Sequence, residues 1–121
     1  MDVATQGPHA PDMTLDEYGP ISASIGVALD GPMRHRGKVF WQSNDGNVTC
    51  GLWEVDAGRF SCAFEAEGEM VHVVKGTLVA TDATGLAITL APGDVYTFTP
   101  GWRGIWEMRE PMRKFFTSFH E

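Results

Sequence analysis

The sequence predicts an all-β protein: a single-domain, jelly-roll-like barrel with an N-terminal arm. Three observations carry that prediction. From residue 38 onward, short apolar runs recur at intervals of roughly eight to twelve residues. Clusters of Gly, Pro, Asn and Asp separate them, and no stretch keeps a helical period. At 121 residues the chain makes one domain, long enough to bury roughly two-thirds of its unfolded surface.

The elements follow in chain order. Residues 1–20 carry Gly7-Pro8, Pro11 and Gly19-Pro20 with little periodicity, so they read as an arm, with room for a short turn around Leu15–Tyr18. Met13, Leu15 and Tyr18 are isolated apolar anchors, which suit an arm that packs on a partner subunit. An apolar stretch, Ile21–Leu29, precedes a polar one, Asp30–Gly37. Residues 1–40 are therefore assigned to the arm and added strands, and residues 41–121 to the barrel.

Nine strands are expected from the apolar runs Lys38–Gln42, Val48–Val55, Arg59–Phe64, Met70–Val74, Thr77–Thr81, Leu86–Leu90, Val95–Phe98, Gly104–Met108 and Arg113–Phe119. Asn44-Asp45-Gly46, Asp56-Ala57-Gly58, Glu67-Gly68, Gly76, Thr84-Gly85, Gly93-Asp94, Pro100-Gly101 and Glu110-Pro111 punctuate them.

Charge narrows the partners. Nine Lys and Arg against 16 Asp and Glu give a formal net charge of -7. Such a surface repels phosphate backbones and anionic lipid, so neither nucleic acid nor membrane is expected as a partner. A small-molecule ligand and a second copy of the chain are expected instead. No apolar run approaches the ~20 residues of a membrane span. Met1–Thr5 has neither the basic nor the apolar region of a secretory leader. A hairpin turning at Asp56-Ala57-Gly58 would not set Cys50 opposite Cys62, so both are expected as free thiols of a reduced, cytoplasmic protein.

Two passages carry a family signature. Glu69-Met70-Val71-His72-Val73-Val74-Lys75-Gly76 is a strand opened by a Glu and closed by a Gly. Gly93-Asp94 opens a second strand that ends at Pro100-Gly101-Trp102. With Gly51–Phe60, Trp106-Glu107 and Arg113-Lys114-Phe115 between and after them, the segment from about Gly51 to Ser118 resembles small cupins related to the ureidoglycine aminohydrolase domain. The resemblance implies a cupin barrel that pairs into a homodimer.

It also implies a metal site that this chain does not complete. The general cupin pattern brings three His and a Glu onto a divalent ion. The corresponding positions here are Cys62, Phe64, Glu69 and Gly104. Only Glu69 is a strong ligand, so no cofactor is expected, with a divalent metal held through Glu69 as the lesser alternative. His72 lies three residues after Glu69, and strand alternation sends the two to opposite faces. His9, His35 and His120 read as loop or terminal residues without a spacing partner. Glu65 and Glu67 share the parity of Glu69 only in an unbroken strand; Gly68 reads as a turn, which makes them solvated loop carboxylates.

Lys114 matches a Lys that recurs after the last Trp-bearing strand of this cupin subfamily. It shares a side with Phe116, and a buried ammonium needs a carboxylate partner, for which Glu69 is the candidate. The pair reads either as a site or as a structural ion pair. Phe60, Cys62, Phe64, Trp102 and Trp106 are the expected ligand contacts. Cys62 has no His to activate it and reads as an inert core thiol. Trp102 and Trp106 either wall a ligand slot or fill the volume of the missing metal cage.

Two functions follow from these residues. One is a metal-free cupin that binds a small polar metabolite in the barrel. The other is a hydrolase or isomerase resembling ureidoglycine aminohydrolase, with Glu69 as general acid/base and Lys114 as substrate anchor.

Overall fold

A computed structural model describes residues 10–120; His9 lies outside the described residues. After a 3-10 turn at Ala10–Asp12, the chain runs through β1 (Asp16–Pro20), β2 (Val27–Ala28), β3 (Arg34–Gln42), β4 (Val48–Val55), β5 (Gly58–Ala63) and β6 (Glu67–Lys75). It continues through β7 (Leu78–Asp82), β8 (Ala87–Leu90), β9 (Val95–Phe98), β10 (Arg103–Met108) and β11 (Met112–His120). The strands form two antiparallel sheets, ordered β1-β3-β4-β11-β6-β9 and β2-β5-β10-β7-β8. The sheets face each other as a jelly-roll-like sandwich, and each of the nine expected runs is a strand. No helix among the described residues is long and apolar enough to cross a membrane.

Alternation explains the core. Val55, Val71, Val73 and Met112 point inward from the six-stranded sheet, and Phe60, Leu78, Trp106 and Met108 meet them from the other. Each such side chain stabilises the fold by roughly 1.5–3 kcal/mol through its removal from water. At one end, Phe98 lies 4.9 Å from Trp106, 5.0 Å from Trp102 and 5.6 Å from Phe64, centroid to centroid. These offset and edge-on contacts are the geometries aromatic quadrupoles favour.

Four local expectations change. The polar stretch Asp30–Gly37 is not all loop, because Arg34–Gly37 begins β3. The Arg36 side chain faces outward there, donating to Glu54 at 2.9 Å and Asp56 at 3.0 Å, so its polarity is satisfied within the sheet. Asp56-Ala57-Gly58 does not turn a hairpin: it carries the chain from β4 in one sheet to β5 in the other. Cys50 consequently pairs in register with Trp41 and Thr117, and Cys62 with Gly104. Both thiols are free, as expected.

Glu67-Gly68 is strand rather than turn. A Cβ at Gly68 would sit 2.6 Å from the Phe119 ring and 2.8 Å from the Phe98 carbonyl, so glycine is there for close packing. The arm, finally, is not all loop: from Ala10 onward it lies against the barrel and contributes β1. Asp16–Pro20 pairs with β3 through a bulge at Tyr18, whose ring meets His35 edge-on at 5.2 Å. Leu15 is buried, and Arg113 Nη1 donates to the carbonyls of Ala10 and Met13, each at 2.7 Å.

Candidate functional site

Strand alternation assembles the site between the sheets. On β6, Glu67, Glu69, Val71 and Val73 share the inner face, while His72 is exposed on the outer one. On β11, Lys114 and Phe116 point inward and lie in register with Trp53 and Gly51 of β4. From the opposite sheet, Phe60 is paired with Trp106, and Cys62 lies two residues beyond Phe60. Glu67, Glu69, Lys114, Phe116 and Trp53 from one sheet and Phe60, Trp106 and Cys62 from the other, with Phe64, wall a cavity of about 200 Å³, which Ser24, Ile25 and Ala63 complete.

Lys114 is the centre of it. It is only 4% exposed, and its ammonium is hydrogen-bonded to Glu69 Oε1. The same nitrogen lies 4.8 Å from the Trp53 ring centroid, 4.7 Å from Trp106 and 5.7 Å from Phe116. Aromatic faces on several sides offset part of the lost hydration of the cation. The carboxylate offsets more.

The Trp53 ring is itself held. Its indole Nε1 donates to His35 Nδ1 at 2.9 Å, so His35 is no loop residue but a buried acceptor. Burial, and then the charge of neighbouring Arg36, hold the His35 pKa below its usual value, which keeps Nδ1 free to accept. Trp106 is different. It is 2% exposed, and among the described residues its indole N–H has no hydrogen-bond partner. A buried donor left unpaired costs about 1–3 kcal/mol.

The other expected contacts divide. Phe60, Phe64 and Cys62 stand in the wall. Burial pushes the Cys62 thiol up to about 12, outweighing the opposite pull of the Lys114 charge, so the group is protonated at neutral pH and only a slow nucleophile there. Trp102 is not in the cavity wall; it packs behind it, against Phe98 and Phe64. It fills volume. Sequence reasoning missed Trp53, Phe116 and Glu67. Trp53 and Phe116 share the inward face with Lys114, a parity signal that was present in the chain; Glu67 was hidden by Gly68.

Residues 42–116 match the family model described as the EutQ-like cupin domain. The chain belongs to the EutQ-like cupin family. No curated protein sequence matches it. Among solved structures, this cupin is similar to a protein of unknown function from Pseudomonas syringae pv. tomato, with TM-score 0.76 and 18% identity over 88% of this chain and 45% of the other. It is similar to Clostridium difficile EutQ, with TM-score 0.63 and 16% identity over 73% and 64% of the two chains. It is also similar to ectoine synthase from P. lautus, with TM-score 0.65 and 16% identity over 77% and 68%. The cupin thus spans less than two-thirds of the length of the first two. At these identities the likeness establishes the shared fold.

The residues of this cupin do not fit the divalent metal that its resemblance implies. Phe64 has no donor atom, and its ring is stacked on Phe98. A Cβ at Gly104 would run into the Thr81 carbonyl, because β10 approaches β7 closely there, so no imidazole can start from that position. Glu69 is already engaged by an ammonium that would repel a second cation. Among the described residues no group of three or more His, Cys, Asp or Glu is placed to hold an ion.

Proposed function

We propose that this EutQ-like cupin binds a small polar metabolite in the barrel interior, with Lys114 and Glu69 as its polar contacts. The observation that carries this reading is the buried Lys114–Glu69 pair in the wall of an aromatic cavity. As a stabilising device such a pair is poor, because an apolar replacement of similar volume commonly does as well or better. Buried charges concentrate where a ligand needs them. About 200 Å³ is room for roughly six or seven waters, which suits a metabolite and not a polymer. The Phe and Trp faces supply flat, rigid contact surface.

The test is a thermal-shift screen of the purified protein against amino acids, keto acids and ureido compounds. A stabilising ligand is expected, and its shift is expected to vanish in Lys114→Ala and Glu69→Gln. An unchanged shift in both variants would remove the pair from the site.

A second reading, a hydrolase or isomerase resembling ureidoglycine aminohydrolase, has one observation in its favour. Among the described residues only Oε1 of Glu69 has a hydrogen-bond partner, so Oε2 is available to take a proton from a bound substrate. Turnover of the stabilising ligand, lost in Glu69→Gln with binding retained, distinguishes this reading from simple binding.

A further inference from the structure

The cavity shares a wall with a second space. Ser24, Ile25, Cys62 and Ala63 line both the interior cavity and a wider groove of about 500 Å³. The groove also takes in Gly104 and Ile105 of β10, and its charged residues are Arg103 and Glu65. Arg103 is exposed, and among the described residues it has no ion-pair partner, whereas Arg36, Arg59, Arg113 and Lys114 all do. In a chain of net charge -7, an uncommitted guanidinium beside a groove is a local attraction for anions.

The dividing wall is lightly held. The loop at 22–26 is tied to the barrel at its two ends, by the Ile21 N–H donating to the Met33 carbonyl at 2.8 Å and by the pairing of Val27 with Ser61. Between those ties its described hydrogen bonds are internal: Ile25 and Gly26 N–H both donate to the Ser22 carbonyl, and the Ser22 and Ser24 hydroxyls meet at 2.9 Å. The partly buried Ile25 side chain is the one side chain of this loop packed on the core, and the Gly26 backbone lies close against Phe60 and Ser61 beside the Val27 tie. A segment with so few external bonds opens at low free energy.

We propose that the groove and the cavity are two halves of one ligand site, separated by a displaceable Ile25, and that Arg103 selects ligands bearing a carboxylate at the outer end. This rests on the binding reading above and names its ligand class. A carboxylate fits better than a phosphate. One planar guanidinium matches one carboxylate fork, the groove has no second cation, and Glu65 penalises a dianion more than a monoanion.

Cys62, in the shared wall, reports on both halves. In a Cys50→Ser background, Cys62 is the remaining thiol and can be alkylated at pH 9 by neutral iodoacetamide or anionic iodoacetate. In each case sulfur displaces iodide, the S–C bond forms as C–I breaks, and the thiol proton passes to buffer. Arg103→Gln is expected to slow iodoacetate by up to about fivefold, the most that one unit charge at about 4 Å is worth across water, and to leave iodoacetamide within twofold; Arg103→Lys restores most of the difference. Ile25→Ala is expected to speed both reagents about tenfold by releasing the wall. Equal effects of Arg103→Gln on the two reagents, or none, overturn the selectivity, and unchanged rates in Ile25→Ala overturn the joined site. Failure here with an intact ligand shift that depends on Lys114 refutes the outer half alone. Arg103 selectivity without any ligand shift refutes the metabolite-binding reading alone.

Discussion

Lys114 and Glu69 meet without being register partners: Lys114 lies opposite Val73, and Glu69 lies opposite Ser118. Four strand positions separate them, about 13 Å along the sheet. The two side chains therefore lean toward each other along the strands rather than standing up from them. The pair runs lengthwise along one wall of the cavity, with Trp53 and Trp106 close to the ammonium. Immobilising so long a side chain costs about 1.5–2 kcal/mol of rotamer entropy, a further reason to look for its return in binding.

Removing the pair as a unit separates function from structure. Lys114→Met alone or Glu69→Leu alone strands a buried charge and is expected to cost about 3–5 kcal/mol. The double variant is expected to be as stable as the parent, or more stable, in urea denaturation, and to bind none of the ligands that stabilise the parent. A double variant as unstable as either single one would make the pair a structural requirement.

The His35–Trp53 bond makes stability depend on pH. The folded pKa of His35 is lowered, so as pH falls below about 6.5 the unfolded chain takes up the proton first. Stability from this group is fully present above that value and declines as pH falls toward the folded pKa. A protonated Nδ1 would also turn a donor toward the Trp53 N–H. His35→Gln, which keeps an acceptor oxygen, is expected to flatten the slope of unfolding free energy between pH 5 and 7. Parallel slopes for parent and variant would show that the group does not titrate on folding.

On the outer face of the same sheet, Glu54 ties three elements together. Burial alone would raise its pKa, but hydrogen bonds from Arg113 at 2.8 Å and Arg36 at 2.9 Å outweigh that and hold it below the usual carboxylate range. Its contribution is present above the unfolded pKa of about 4.3 and is lost as pH falls through the lower folded value. Because Arg113 also holds the Ala10 and Met13 carbonyls, Glu54→Gln is expected to cost about 3–5 kcal/mol and to expose residues 10–20 to limited proteolysis. Cleavage there at the parental rate would show that the arm is anchored by its β1 pairing alone.

Much of this was legible in the chain because punctuation and alternation are local. Pro100-Gly101, Gly93-Asp94 and Gly76 end or begin strands wherever they occur, and parity placed Phe60, Trp106 and Lys114 on the inner face. What was not legible depended on contacts far apart in sequence. Gly68 looked like a turn because the residues that demand a glycine, Phe119 and Phe98, lie on other strands, and with it went the inward face of Glu67. Asp16–Pro20 has the composition of a loop; its pairing with β3 depends on the Tyr18 ring reaching His35 and Gly37. Trp53 sits in the apolar run Gly51–Val55, and its bond to His35 required knowing that β3 begins at Arg34.

Restoring imidazoles at the family's ligand positions is expected to fail as a route to a metal centre. Gly104→Ala alone should destabilise by about 1–3 kcal/mol, the usual cost of overpacking, since the added methyl meets the Thr81 carbonyl and the Asp82 backbone. Phe64→His removes a ring stacked on Phe98 and tilted against Trp106, adding a comparable loss. The combined Phe64→His, Gly104→His protein is expected to retain well under one zinc per chain after dialysis and to show no rise in Tm with added zinc. Removing the Lys114 charge as well, by Lys114→Met, should not rescue it, because the obstacle at position 104 is backbone. Stoichiometric zinc in the double variant would mean that β10 and β7 can separate, and that the barrel interior is less fixed than its aromatic packing implies.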